Sequence, residues 1–283
     1  MPPKSMPKIE LSSQEQRYLP VREKFVTFRF ETDGHELPYN LYIPENVSEP
    51  LPLVVFLHDM GSISDDPRNT LNQGIGALVW ADEAEQKKRP CFVLAPQYPD
   101  QNAFDDYTVG WAAEATVALI RDVCSRYSID ANRIYGTGQS MGTMMLCELM
   151  LRYPHFFAGC FLTAGQWDPE RMGAIRDEHV WIMVSERDGK ALPIMGACMA
   201  AVEQNGGKVA RGHVNAKADE ETKAAFCRDI LSQGANIQFT WLEGDSVLLP
   251  GAPDFPAIYH MYTWKWAYLF EPIREWLFEQ KRG

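Results

Sequence analysis

The sequence predicts an α/β protein: a mostly parallel central sheet with an antiparallel hairpin at its N-terminal end and helices on both faces. Three observations carry this. Residues 53–57, 91–94, 133–135, 161–163 and 180–184 are short, continuous apolar runs rich in β-branched and aromatic residues, as in strands covered on both faces. Segments of helical period lie between them, at 111–127, 141–152 and 193–205. Alternating apolar and polar residues at 24–30 and 38–43 flank Asp33-Gly34, which reads as an antiparallel hairpin.

Along the chain, strand and helix alternate after the hairpin, which implies right-handed crossovers and one sheet. The segment 111–127 carries apolar residues three and four apart, 141–152 follows a glycine-flanked serine, and 193–205 runs into Gly206-Gly207. The rhythm breaks at 208–214. A polar helix candidate follows at 217–233, and only then the strand-like run 237–242. The interval 213–258 reads as a decorated surface helix with its loops, or as an inserted lid. No internal repeat or low-complexity linker interrupts the chain, so all 283 residues are expected to form one domain, residues 1–20 being a ragged polar tail.

Composition narrows the function. The net charge is −11 and the longest basic run is Lys87-Lys88-Arg89, which argues against nucleic acid or an anionic membrane as partner and leaves a small molecule. The six cysteines lack metal-knuckle or redox spacing, and five sit in apolar runs, where buried free thiols are expected. Residues 1–16 hold no apolar core of a signal segment, and no apolar stretch of about 18 residues occurs, so a cytoplasmic protein is expected. The oligomeric state is left open.

The chemistry gathers around "YGTGQSMG", residues 135–142. Ser140 ends a buried strand and opens a helix, the strand, sharp turn and helix of a nucleophile elbow. Small residues two before and two after let strand and helix approach, and the N–H of Met141 at the helix start can stabilise an oxyanion. A serine hydroxyl needs a base oriented by an acid, and in such folds the order is serine, acid, histidine. Asp188 lies just past the run 180–184 with Glu186 as its rival. His260 lies beyond it, in an expected loop after the last strand, whereas His213 sits inside a strand-like run. The second oxyanion donor should follow the first central strand, in Leu57-His58-Asp59-Met60-Gly61. Met60 N–H is the candidate, and His58 is expected to anchor the loop.

Together with "LPYNLYIPE", "LPLVVFLHDMG", "PCFVLAPQYP", "IDANRIYGTGQSMG", "VSERDGKALP" and "HMYTWKWAYLFEPIREWLFEQ", in that order over about residues 24–281, the chain resembles the α/β-hydrolase superfamily. The resemblance is closest to esterases of the feruloyl-esterase and polyhydroxybutyrate-depolymerase-like group, often called prolyl-oligopeptidase-like hydrolases. It implies a serine esterase with Ser140 as nucleophile, Asp188 as acid, His260 as base and Met60 with Met141 as the oxyanion pair, with no metal or organic cofactor. Two features depart from the group. Asp59 stands where glycine is usual, and its carboxylate is expected to turn away from the oxyanion. The span between Asp188 and His260 is also extended. Asp59, Gln139, Trp167 and Tyr259 are the candidate substrate-contacting residues, the aromatics favouring an aromatic, feruloyl-type ester. The alternatives are a peptidase of the same group, and a hydrolase-fold binding protein without turnover.

Overall fold

The computed structural model describes residues 12–45 and 47–282. A short helix, α1 (Ser13–Gln16), opens it, fixed by a capping box. The Ser12 hydroxyl accepts from the Glu15 N–H, and the Glu15 carboxylate accepts from the Ser12 N–H at 2.7 Å. The hairpin β1 (Phe25–Thr32) and β2 (His35–Tyr42) follows, its turn made by Asp33 and Gly34 with φ of 48° and 79°. Then come β3 (Leu51–Leu57), α2 (Glu83–Lys88), β4 (Phe92–Pro96), α3 (Ala112–Arg126), β5 (Ile129–Gln139) and α4 (Met141–Arg152). The C-terminal half adds β6 (Gly159–Thr163), β7 (Val180–Ser185), α5 (Ala191–Gln204), β8 (Val209–Val214), α6 (Glu220–Ser232), β9 (Ile237–Leu242), α7 (Pro256–Ala267) and α8 (Glu271–Glu279).

The strands form one sheet in the order β1-β2-β4-β3-β5-β6-β7-β9-β8. Only the β1–β2 and β2–β4 pairings are antiparallel. Successive side chains of a strand go to opposite faces, and β3 divides accordingly. Leu53, Val55 and Leu57 join the core under α3, α4 and α5, while Val54 and Phe56 join the core shared with α6, α7 and α8. From β3 the chain steps outward to β4 and then returns past β3 to β5. The reversal opens a crevice at the carboxyl ends of β3 and β5, where ligands of open α/β sheets bind.

One expectation changes. The described part of the polar tail expected over 1–20, from Ser12 on, is partly internal. Tyr18 and Val21 are buried, and Glu15 is fully buried against Lys265, its Oε2 accepting from Nζ at 2.9 Å. Residues 1–11 lie outside the described residues. The helix α6, within the interval weighed as a lid, packs on β8 and α8. Among the described residues, no helix is long and apolar enough to cross a membrane.

Candidate active site

Ser140 sits between the last residue of β5 and the first of α4, with φ 52° and ψ −115°. A non-glycine residue in that region is strained and persists only where its surroundings hold it. The surroundings are close. A Cβ on Gly142 would come within 1.9 Å of the Leu57 carbonyl oxygen, and one on Gly138 within 2.7 Å of the Gly142 carbonyl carbon. These two glycines therefore let the start of α4 press against the end of β3, which brings the serine turn beside the loop that follows β3.

Asp188 follows β7 and is 3% exposed. Its Oδ1 accepts the N–H groups of Lys190 and Ala191 at 3.1 and 2.9 Å, and its Oδ2 lies 2.6 Å from Nδ1 of His260. Burial opposes its ionisation, but the hydrogen bond and charge of His260, with the two backbone N–H groups, outweigh it and hold the carboxyl below its ordinary range. With Nδ1 donating to Asp188, the lone pair of His260 Nε2 faces Ser140 Oγ, 2.9 Å away. The structure thus joins Ser140, His260 and Asp188 in one hydrogen-bonded run. Glu186, the rival acid, instead accepts the Gly244 N–H at 2.6 Å on the surface.

The expected loop at His260 is a helix. α7 begins at Pro256, whose fixed φ suits the first helical turn, and carries the imidazole to the carboxyl ends of β5 and β7. Between this helix and the serine turn lies a cavity of about 540 Å³ whose walls include Ser140, His260, Met60 and Met141. As the first residue of α4, Met141 has an N–H without a carbonyl partner one turn back in the helix. Beside His58, the loop after β3 is fixed as expected. The fully buried ring lies 2.7 Å from the Asp59 carbonyl at Nδ1 and accepts the Tyr98 N–H at Nε2, 2.9 Å. Burial lowers its pKa to about 4, so it is neutral at pH 7 and serves as an anchor.

None of the four candidate substrate contacts lines this cavity. Trp167 is fully buried, its indole N–H donating to Glu148 at 3.0 Å and its ring meeting Tyr107 edge-on. Tyr259 is 1% exposed and its hydroxyl is engaged by Asp245 and Asp254, both at 2.8 Å. Gln139 is fully buried, donating to Asp59 at 2.8 Å, and the Asp59 carboxylate turns into its own loop. A sequence position near the strand ends does not say which way a side chain faces, and all four are turned away from the cavity.

The walls are instead formed by residues without a motif. Met144 and Met261 join Met60 and Met141 on the apolar side. Asp105, Lys190 and Gln166 form a polar cluster: Lys190 pairs with Asp105, and the Gln166 amide lies 3.5 Å from it. The signal for Asp105 was the long connection between β4 and α3 at a strand's carboxyl end, where binding loops gather. Among the described residues, no group of three or more His, Cys, Asp or Glu side chains could hold a metal ion.

Comparison with known proteins agrees with this architecture. Acetylxylan esterase A of Aspergillus awamori is 24% identical over 143 residues, covering 47% of this chain and 45% of that protein. A crystal structure of a thermostable esterase superposes with a TM-score of 0.74 and 26% identity, over 93% of this chain and 64% of that one. The chain thus spans less than two thirds of either relative. A ferulic acid esterase shares the fold alone, with a TM-score of 0.53 and 12% identity over 90% of this chain and 96% of its own. The family model described as Esterase PHB depolymerase matches residues 37–204, which hold Met60, Ser140 and Asp188. Since that match covers more than half of the chain, the protein belongs to the Esterase PHB depolymerase family.

Proposed function

We propose that the protein is a serine hydrolase that cleaves carboxylic esters through an acyl-enzyme. The observation that carries this reading is the hydrogen-bonded run Ser140, His260, Asp188 opening into a cavity. Ser140 Oγ attacks the ester carbonyl carbon while its proton passes to His260 Nε2. The resulting imidazolium is stabilised by the Asp188 carboxylate, and the tetrahedral oxyanion is held by the N–H groups of Met60 and Met141. Collapse expels the alcohol, which takes the proton from Nε2, and leaves the acyl group on Oγ. Water then attacks the acyl carbon, giving its proton to Nε2, and the acid departs as Oγ is reprotonated.

Four methionines among the lining residues make the cavity pliable, suited to small acyl groups and also to planar aromatic ones, against which thioether sulfur packs favourably. Esters of acetic and hydroxycinnamic acids are therefore the first substrates to try, and the likeness to an acetylxylan esterase adds acetylated xylan. Wild type and Ser140→Ala are compared on p-nitrophenyl acetate, methyl ferulate and acetylated xylan. The expected result is turnover of at least one ester by the wild type and a loss of about 10⁴-fold or more in the variant. Turnover retained by folded Ser140→Ala overturns the reading. Amide cleavage as fast as ester cleavage supports a peptidase. Ligand binding with no turnover and no fluorophosphonate labelling supports a binding protein.

A further inference from the structure

The departure at Asp59 has a structural counterpart on the far side of the oxyanion loop. Its carboxylate is 1% exposed and is the hub of donors from three separate segments. From its own loop, Gly61 N–H donates to Oδ1 at 2.7 Å and Ser62 Oγ lies 3.4 Å from Oδ2. Gln73 Nε2, from the connection after that loop, donates to Oδ1 at 2.6 Å. Gln139 Nε2, from the end of β5, donates to Oδ2 at 2.8 Å and also reaches the Gln73 carbonyl at 3.3 Å. Gln139 is itself fully buried, and neither it nor Asp59 lines the cavity.

The positions of these residues in the chain matter more than their number. Asp59 immediately precedes Met60, and Gln139 immediately precedes Ser140 and Met141. One buried side-chain bond therefore ties the residue before one oxyanion donor to the turn that bears the other. Backbone N–H groups stabilise a developing oxyanion only if both are already fixed at its position, since any reorganisation during the reaction consumes the advantage. We infer that Asp59 is a positioning residue: through Gln139 and Gln73 its carboxylate locks the loop after β3 to the serine turn and so sets the spacing of the two oxyanion N–H groups. The carboxylate performs this from behind the loop, with its lone pairs occupied by donors, so it does not face the oxyanion. A glycine at this place leaves the loop free of the serine strand. This inference rests on the ester-hydrolase reading and deepens it.

The test uses the full chain with Asp59→Ala, Asp59→Asn, Gln139→Ala and the double variant Asp59→Ala/Gln139→Ala. Kinetics on p-nitrophenyl acetate are measured with inhibition by phenylboronic acid, whose tetrahedral serine adduct places an oxygen where the oxyanion forms. Asp59→Ala is expected to lower kcat about 10- to 100-fold with KM changed less than about 3-fold, and to weaken phenylboronate inhibition by a similar factor. The double variant is expected to be no slower than Asp59→Ala, because both substitutions break one link. Asp59→Asn is expected to recover most of the activity. Its carbonyl can still accept from Gly61 and Gln73, and the Gln139 Oε1, buried without a partner, can turn to accept from the new amide.

Asp59→Ala with kcat within 3-fold of wild type overturns the inference, as does a loss confined to KM or multiplicative losses in the double variant. Should Asp59→Ala not fold, Gln139→Ala and Asp59→Asn carry the same comparison. Failure of the underlying reading is distinguishable, because there Ser140→Ala stays active. If Ser140→Ala is inactive and the Asp59 variants behave as wild type, only the positioning role falls.

Discussion

Two aspartates at the carboxyl ends of strands, both almost entirely buried, end in opposite electrostatic conditions. Asp188, in the loop after β7, meets the imidazole of His260 and two backbone N–H groups, and its carboxyl is held below the ordinary range. Asp59, in the loop after β3, is pushed above it. Burial is the dominant cause there, and Gln139, the backbone N–H groups of Gly61 and of Asp59 itself, and the charge of His260 offset it only in part. Taking a carboxylate out of water costs the same kind of free energy at either place. A chargeable neighbour in direct hydrogen bond, His260 beside Asp188, reverses the sign, whereas neutral amides with a more distant charge do not. One aspartate is therefore suited to stabilising a positive charge that appears on its partner, the other to holding chain segments together.

Substituting each carboxylate by its amide is the most direct way to break this contrast. Asp188→Asn should lower kcat about 10³- to 10⁴-fold with little change in KM, because asparagine can impose the wrong histidine tautomer. Initial-rate kinetics on an ester turned over by the wild type read this out. If Asp188→Asn and Asp59→Asn lose equal activity, the division of roles is wrong.

The next effect is on stability, and it extends the contrast to a third buried carboxylate. Glu15 faces a full cation, Lys265, with side-chain exposures of 0% and 2%. Replacing Glu15 by Gln should destabilise the fold by about 3–5 kcal/mol, since it removes the negative charge that compensates a buried ammonium, whereas Glu15→Leu with Lys265→Met should come close to neutral. Urea unfolding of the three proteins measures both.

The smallest effect is the pH dependence of stability, and here the two aspartates should move in opposite senses. Asp188 has a depressed folded pKa, so its contribution is present above the unfolded value of about 3.9 and is lost as pH falls through the folded one. Asp59 has a raised folded pKa, so its contribution is fullest below about 3.9 and is lost as pH rises through the folded value. Relative to wild type, Asp59→Asn should gain stability as pH rises above 4. Asp188→Asn should instead fall behind as pH rises into that region. Thermal melts in a pH series, with both variants moving in the same sense, would refute the contrast.

Much of this was legible beforehand, for reasons that differ by residue. The strands announced themselves because burial on both faces demands apolar runs, and Ser140 because its strained turn requires small neighbours. The helix around His260 was not legible, since α7 is buried on nearly all sides between the sheet and the segment 244–249. A helix buried on nearly all sides has no polar face to set against an apolar one, and so shows no amphipathic period. Trp167 and Tyr259 misled for a related reason. Their places in the chain are near the site, but the polar partners that hold them away from the cavity are Glu148, Asp245 and Asp254, which only the fold brings together. Asp59 was readable as a departure from glycine. What it holds was not, because Gln139 lies 80 positions further along the chain.

The pairing of Glu15 with Lys265 also bears on when the protein becomes active during its synthesis. The two residues are 250 positions apart, and Lys265 lies on the same helix as His260. Contacts between such distant positions close late in folding, after the costly loop between them has been ordered. Ser140 and His260 are separated by 120 positions, so at about 5–20 residues per second the ribosome supplies His260 roughly 6 to 24 s after Ser140. On the proposed mechanism the reaction can begin only when α7 has docked and the segment bearing Glu15 has closed over it.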